Sequence, residues 1–149
     1  MTVSLIAALP CMCGSFRRTS RALTQLYDQA LRPLSRSPTQ LTILQVLSRA
    51  GEVSQGHLGE MLAMDSTSLT RTLAIMVGPR WITERRGKDR RERWLRLSSA
   101  GEEKLKRALP LWEKVQSRLR RQIGEQAWNN LLRLTLQVTD PITTKGESL

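Results

Sequence analysis

The chain has 149 residues, enough for one folded domain but not for two independent cores. With 40% apolar and 25% charged residues it has the balance of a folded protein, and its 4% aromatics leave Leu, Ile, Val, Met and Ala to build the core. A formal charge of +11 requires a polyanionic partner or tolerance of self-repulsion, and no stretch approaches the ~20 apolar residues of a membrane span.

The opening run MTVSLIAAL is at the lower length limit of a signal peptide and has no Lys or Arg before it, so it reads as an N-terminal arm. Cys11-Met12-Cys13 follows, just ahead of a helix expected over residues 16 to 32. That helix ends before Pro33, because the residue preceding proline avoids the helical region. Phe16, Leu23, Leu26, Tyr27, Ala30 and Leu31 fall near one side of it. Arg17, Arg18 and Arg21 lie toward its start, where they oppose the helix dipole and call for an acidic or ligand partner. A second helix, with Ser37 as cap and Pro38 at its first position, runs through Leu41, Ile43, Leu44 and Leu47 to Gly51 and belongs inside. A short strand at Val53 is placed to pair with a later hairpin.

Residues 54 to 98 read as two short helices and a basic hairpin. Ser54 caps the first helix, and Leu58, Met61 and Leu62 form its inward face. Asp65 caps the second, which turns Leu69, Leu73, Met76 and Val77 inward and leaves Ser66, Thr67, Thr70, Arg71 and Ala74 outside. This thin, hydroxylated outer edge fits a major groove about 12 Å wide. After Gly78-Pro79 the spans 81–86 and 93–98 form hairpin arms around Gly87-Lys88-Asp89-Arg90. Arg80, Arg85, Arg86, Lys88, Arg90, Arg91, Arg93 and Arg96 face only Glu84, Asp89 and Glu92 in this segment. Cations concentrated on a hairpin rather than on one amphipathic helix favour nucleic acid over a membrane surface. Helix, short turn, helix and arginine-rich hairpin together predict a winged helix-turn-helix on duplex DNA. Phosphate contacts then come from Ser54, Gln55, Lys88 and Arg90, and base contacts from Ser66, Thr67, Ser68, Thr70 and Arg71.

Ser98 or Ser99 caps a long helix from Ala100 to about Ile123, bent at Pro110 and carrying Leu105, Leu109, Trp112, Val115, Leu119 and Ile123 on one side. Gly124 ends it, a last helix spans 125 to 138, and the tail frays from Asp140. The terminal helices carry more apolar surface than one small module needs, so a second chain is expected to cover it. The expected fold is mainly α with a small β wing. It forms a single domain over 1–149, with the winged helix-turn-helix at 37–99 and dimerisation helices at 1–36 and 100–140.

The runs MDSTSLTRTL, WITERR and KDRRERWLRLSSAG resemble the multiple-antibiotic-resistance regulator (MarR) family over most of the chain. The resemblance implies a two-fold homodimer on a pseudo-palindromic operator. The helix bearing Ser66, Thr67, Ser68, Thr70 and Arg71 then lies in the major groove. The family's D-x-R at the wing tip falls on Asp89 and Arg91, which implies that Arg91 enters the minor groove and that Asp89 holds it by a salt bridge. Val77-Gly78-Pro79-Arg80 departs from the family, which usually has a polar turn ending in glycine there.

His57 is the sole histidine, so no His-based metal cluster or triad can form, and neither a phosphate loop nor a nucleophile elbow is present. An enzyme, a metal and a cofactor are therefore not expected. Cys11 and Cys13 are the one reactive constellation, since helix N-termini and nearby arginines favour thiolates. Aligned on Ser20-Arg21, Cys13 falls where the family's organic-hydroperoxide branch carries its sensing cysteine. Tyr27 falls where that branch has a tyrosine hydrogen-bonded to it, and Arg17 replaces a further tyrosine. The family also implies a small aromatic-acid effector, whose carboxylate Arg17, Arg18 and Arg21 are placed to receive. The resulting expectation is a cytoplasmic homodimeric repressor released by a small molecule or by oxidation. The alternatives are a peroxide-sensing repressor using Cys13, or a winged-helix module that docks protein or RNA.

Overall fold

Side chains at Ser37, Ser54, Asp65 and Ser98 each accept the backbone N–H three residues on, and these four caps set helix starts throughout the computed structural model. The structure describes residues 11–34 and 37–144, so the expected N-terminal arm over residues 1–9 lies outside it. In chain order the elements are α1 (Met12–Leu31), a single 3-10 turn (Arg32–Leu34), α2 (Pro38–Ala50), β1 (Glu52–Ser54), α3 (Gln55–Leu62) and α4 (Ser66–Val77). They continue with β2 (Ile82–Arg86), β3 (Arg93–Leu97), α5 (Ser99–Ile123) and α6 (Glu125–Thr144). Ser37 and Gln40 complete a reciprocal capping box at α2, with Pro38 inside the first turn.

The three strands form an antiparallel sheet in the order β1-β3-β2. Val53 pairs with Leu95, and Ile82 with Leu97, so the expected strand at Val53 does join the wing. Val53, Ile82 and Leu95 turn to one face of the sheet and enter a core built from α2, α3, α4 and the start of α5. Leu31, Ile43, Leu44, Leu47, Leu58, Leu69, Leu73, Met76 and Leu95 are fully buried there. Each such side chain contributes roughly 1.5–3 kcal/mol by leaving water. α2 lies inside as its composition predicted, packed on α1, α4, α5 and the sheet.

Several boundaries and faces differ from the sequence reading. α1 begins at Met12 rather than Phe16, because the Cys11 sulfur accepts the Gly14 N–H at 3.4 Å and caps the helix. α5 runs through Pro110 from Ser99 to Ile123 as expected, whereas α6 continues through Pro141 to Thr144, beyond the end expected near Val138. A helix-interior proline removes one N–H, and the surrounding turns carry the helix across it. Met61 is 49% exposed and Val77 37%, against the expectation that both face inward. α3 is only two turns long and rests on β1, so Met61 overhangs a groove beside Trp94 instead of entering the core.

The turns that end α3 and α4 share one geometry. Met64 N–H bonds the Gly59 carbonyl at 2.9 Å and Ala63 N–H the Glu60 carbonyl at 3.1 Å, with Ala63 at φ 49°. Trp81 N–H bonds the Met76 carbonyl at 3.1 Å and Arg80 N–H the Val77 carbonyl at 2.9 Å, with Arg80 at φ 59°. Both are Schellman closures, in which the left-handed position is usually glycine. The departure at Val77-Gly78-Pro79-Arg80 therefore places an arginine in the conformation glycine would favour. A left-handed L-residue costs roughly 1–2 kcal/mol, so Arg80→Gly is expected to raise stability by about 1 kcal/mol, read as a higher urea midpoint at unchanged slope.

Candidate nucleic-acid interface

The Asp65 carboxylate accepts the Ser68 N–H at 2.9 Å and the Ser68 hydroxyl at 2.6 Å, which fixes the first turn of α4. These bonds, the hydroxyl's first, hold the Asp65 carboxyl below its ordinary range. Ser68 is therefore engaged at home, while Ser66, Thr67, Thr70, Arg71 and Ala74 stay exposed on the outer edge of α4 as expected. Leu69, Leu73 and Met76 anchor the opposite edge in the core.

α3 brings its own N-terminus to the same side. The Ser54 hydroxyl accepts the His57 N–H at 3.2 Å, and Gln55 donates from Nε2 to Thr70 Oγ1 at 3.0 Å. A cleft of about 970 Å³ is lined by Ser54, Gln55, His57, Ser66, Arg91 and Arg93, so two helix starts and two wing arginines converge although they are far apart in sequence. Free N–H groups and the positive dipole ends of helices favour anions at such a place.

The wing divides into a neutralised neck and a charged tip. Arg85 makes two bonds to the Glu52 carboxylate, 2.7 Å from Nε and 2.6 Å from Nη2, and its guanidinium lies 5.2 Å from the Trp94 ring centroid. The Arg85 bond, and then its charge against burial, holds the Glu52 carboxyl below its usual range. Arg93 pairs with Glu84 at 2.9 Å, and Arg86 donates to the Arg90 carbonyl at 2.8 Å. The Lys88, Arg90 and Arg91 side chains have no hydrogen-bond or ion-pair partner among the described residues. The sequence reading treated all these cations as mutually repelling, but Glu52, from outside the segment, clamps one and the strand register pairs another. Asp89 also differs from the arrangement that the resemblance implied. Its Oδ1 accepts the backbone N–H of Arg91 at 2.9 Å, so it shapes the loop and leaves the guanidinium unbound.

Near the N-terminus, Cys11 and Cys13 are free and exposed. Cys13 and Tyr27 share α1 fourteen residues apart, a separation of about 21 Å along the axis at 1.5 Å per residue. They do not meet within one chain. Burial first, and then Glu113, raises the Tyr27 hydroxyl pKa, so it stays a protonated donor at neutral pH. Tyr27 also lines a mainly apolar groove of about 550 Å³ between α1 and α6, together with Phe16, Leu23, Pro38, Leu131 and Leu132. Arg17, Arg18 and Arg21 are exposed, and none of them lines that groove.

Comparison with known proteins agrees with this geometry. A family model described as "MarR family" matches residues 34–92, which span α2 to the wing tip. An uncharacterized HTH-type transcriptional regulator of Bacillus subtilis, YwoH, is 24% identical over 123 residues, covering 80% of this chain and 90% of its own. The transcriptional regulator MosR of M. tuberculosis, solved in complex with DNA, is 29% identical, with a TM-score of 0.76 over 89% of this chain and 98% of its own. A mutant MarR from E. coli complexed with operator DNA has the same fold at 19% identity, with a TM-score of 0.78 over 91% of this chain and 98% of its own. The order of caps, the exposed hydroxylated edge of α4, the arginine-tipped wing and these likenesses point the same way: residues 34–92 match the MarR family, and the chain shares the winged-helix fold of the MarR-type regulators it resembles.

Proposed function

We propose that the protein is a sequence-specific duplex-DNA-binding transcription regulator, acting in the cytoplasm as a homodimeric repressor. The observation that carries this reading is the exposed hydroxyl-and-arginine edge of α4 beside a wing tip whose Lys88, Arg90 and Arg91 side chains lack partners among the described residues. Ser54, Gln55, Lys88 and Arg90 hold phosphates, while Ser66, Thr67, Thr70 and Arg71 meet base edges, with Ser68 limited to accepting because its proton is given to Asp65. Arg91, on a loop shaped by Asp89, reaches the minor groove. Residues 37–99 form the reading unit, and α1, α5 and α6 the arms that join two copies. Paired heads then meet half-sites about 10 bp apart, centre to centre.

Arg71→Ala is expected to weaken binding to the cognate operator by roughly 1–3 kcal/mol and to relax specificity at one position. Titrations at fixed salt against operator and random duplex check this, and equal loss on both sinks the base-reading role. Stronger binding to structured RNA than to duplex DNA in competition would overturn the reading in favour of RNA docking.

A second reading concerns the releasing signal. Two exposed thiols stand at the start of α1, one of them capping the helix, where oxidation to a sulfenic acid is readily accommodated. Tyr27 reaches Cys13 only from a second chain, so this sensor needs the dimer. The Cys13→Ser protein is expected to keep its operator affinity and to lose release by organic hydroperoxide; release that persists rejects the thiol as the switch. A small aromatic effector is the alternative signal. The α1 arginines, exposed outside the α1–α6 groove, are placed to receive its carboxylate, and the effector acts only through its difference in affinity for the bound and released geometries.

A further inference from the structure

We infer that Gln55 sets the hydrogen-bond polarity of the Thr70 hydroxyl and thereby decides which class of base edge α4 accepts at that position. This rests on the assignment of α4 as the DNA-reading helix. Gln55 stands at the first residue of α3, and Thr70 lies fifteen residues on, in the second turn of α4. Nε2 of Gln55 donates to Thr70 Oγ1 at 3.0 Å, while its Oε1 is buried without a hydrogen-bond partner. Turning the amide over would bury an NH₂ group, two donors, in place of one carbonyl. Orphaned N–H groups are rarer in proteins than under-satisfied carbonyls, so the observed orientation leaves the smaller deficit.

The consequence falls on Thr70. One of the two lone pairs on its oxygen accepts from Gln55, so its proton turns away from α3 and is the group directed at DNA. Neighbouring hydroxyls differ: Thr72 gives its proton to the Ser68 carbonyl at 2.9 Å, and Ser68 gives its proton to Asp65. A hydroxyl presented as a donor suits the major-groove acceptors, O6 and N7 of guanine, N7 of adenine and O4 of thymine, and not the N4 amino group of cytosine. The second Nε2 hydrogen of Gln55 remains for a phosphate. One amide thus couples a backbone contact to a base contact, and Gln55 acts as a positioning residue for Thr70.

The experiment uses duplexes enriched by the wild-type protein from a randomised library, then every single base-pair change of the best sequence, with relative affinities measured at constant salt. Thr70→Val is expected to flatten the profile at one position per half-site, erasing a preference of roughly tenfold against cytosine and leaving other positions intact. Gln55→Glu offers only acceptors, so Thr70 must turn its proton inward. At that same position the preference is expected to move to bases that present a donor, adenine or cytosine. The added charge weakens all sequences alike, and ratios between bases are unaffected by it. Gln55→Ala frees the hydroxyl to rotate and is expected to broaden the preference there. A Gln55→Glu profile identical in shape to wild type, or a Thr70→Val profile that keeps its contrast, overturns the inference while leaving α4 as the reading helix. A flat wild-type profile would instead remove the DNA-reading assignment, and the inference with it.

Discussion

Alanine at Gly101 is expected to destabilise the protein by about 3 kcal/mol, at the upper end of what overpacking costs, although the same exchange in an open helix stabilises by about 0.5–1 kcal/mol. Gly101 is buried in the first turn of α5, where an added Cβ would run into the Trp81 carbonyl group and come within 2.7 Å of Leu97 Cδ1. The carbonyl is held in place, because it accepts the Ser98 N–H at 3.0 Å. The Ser98 hydroxyl in turn donates to the Arg80 carbonyl and accepts the N–H of Gly101 itself at 3.0 Å. One small knot therefore joins the left-handed turn after α4, the end of β3 and the start of α5. Displacing it shifts the wing relative to the long helix. Gly56, in the first turn of α3, is the control, since a Cβ there meets nothing within 4 Å. Gly56→Ala should raise the denaturant midpoint and Gly101→Ala should lower it. Two shifts of the same sign would show that the knot yields.

Much of this architecture was legible because its signals are local. Ser37, Ser54 and Asp65 stand immediately before apolar periodic runs, and each forms the bond that its residue type favours. The outer edge of α4 followed from the same period that buries Leu69, Leu73 and Met76. What escaped were features fixed by pairing across distance. Glu52 neutralises Arg85 because its strand register, opposite Arg96, brings it across β3 from β2, and nothing within residues 80 to 96 announces an acid arriving from residue 52. The Gln55–Thr70 bond likewise depends on how α3 crosses α4. Arg80 was invisible as a left-handed residue because its type argues against it, and only the closure of α4 around the Gly78-Pro79 pair requires it. The excess apolar surface of the terminal helices was readable in outline. α6 has no fully buried residue among those whose burial is described, and Leu131, Leu132, Leu134 and Leu136 are 45–61% exposed.

That exposed face carries the second large prediction. Phe16 and Leu23 of α1 and Leu131 and Leu132 of α6 line one continuous groove, with Phe16 40% and Leu132 50% exposed. Contiguous apolar surface of this kind on a small chain marks an interaction site, and a two-fold contact between copies buries it isologously. Leu132→Glu places a charge in that seam, where burying it without a partner costs more than the contact returns. The protomer should keep its own stability, since half of Leu132 is already in water. The dimer should dissociate to monomers in sedimentation. Two linked heads bind as a chelate, so operator affinity should then fall by about 10²- to 10⁴-fold while affinity for an isolated half-site changes little. A Leu132→Glu protein that still sediments as a dimer and holds the full operator would place the seam elsewhere. A monomer that keeps full operator affinity would show that one head suffices.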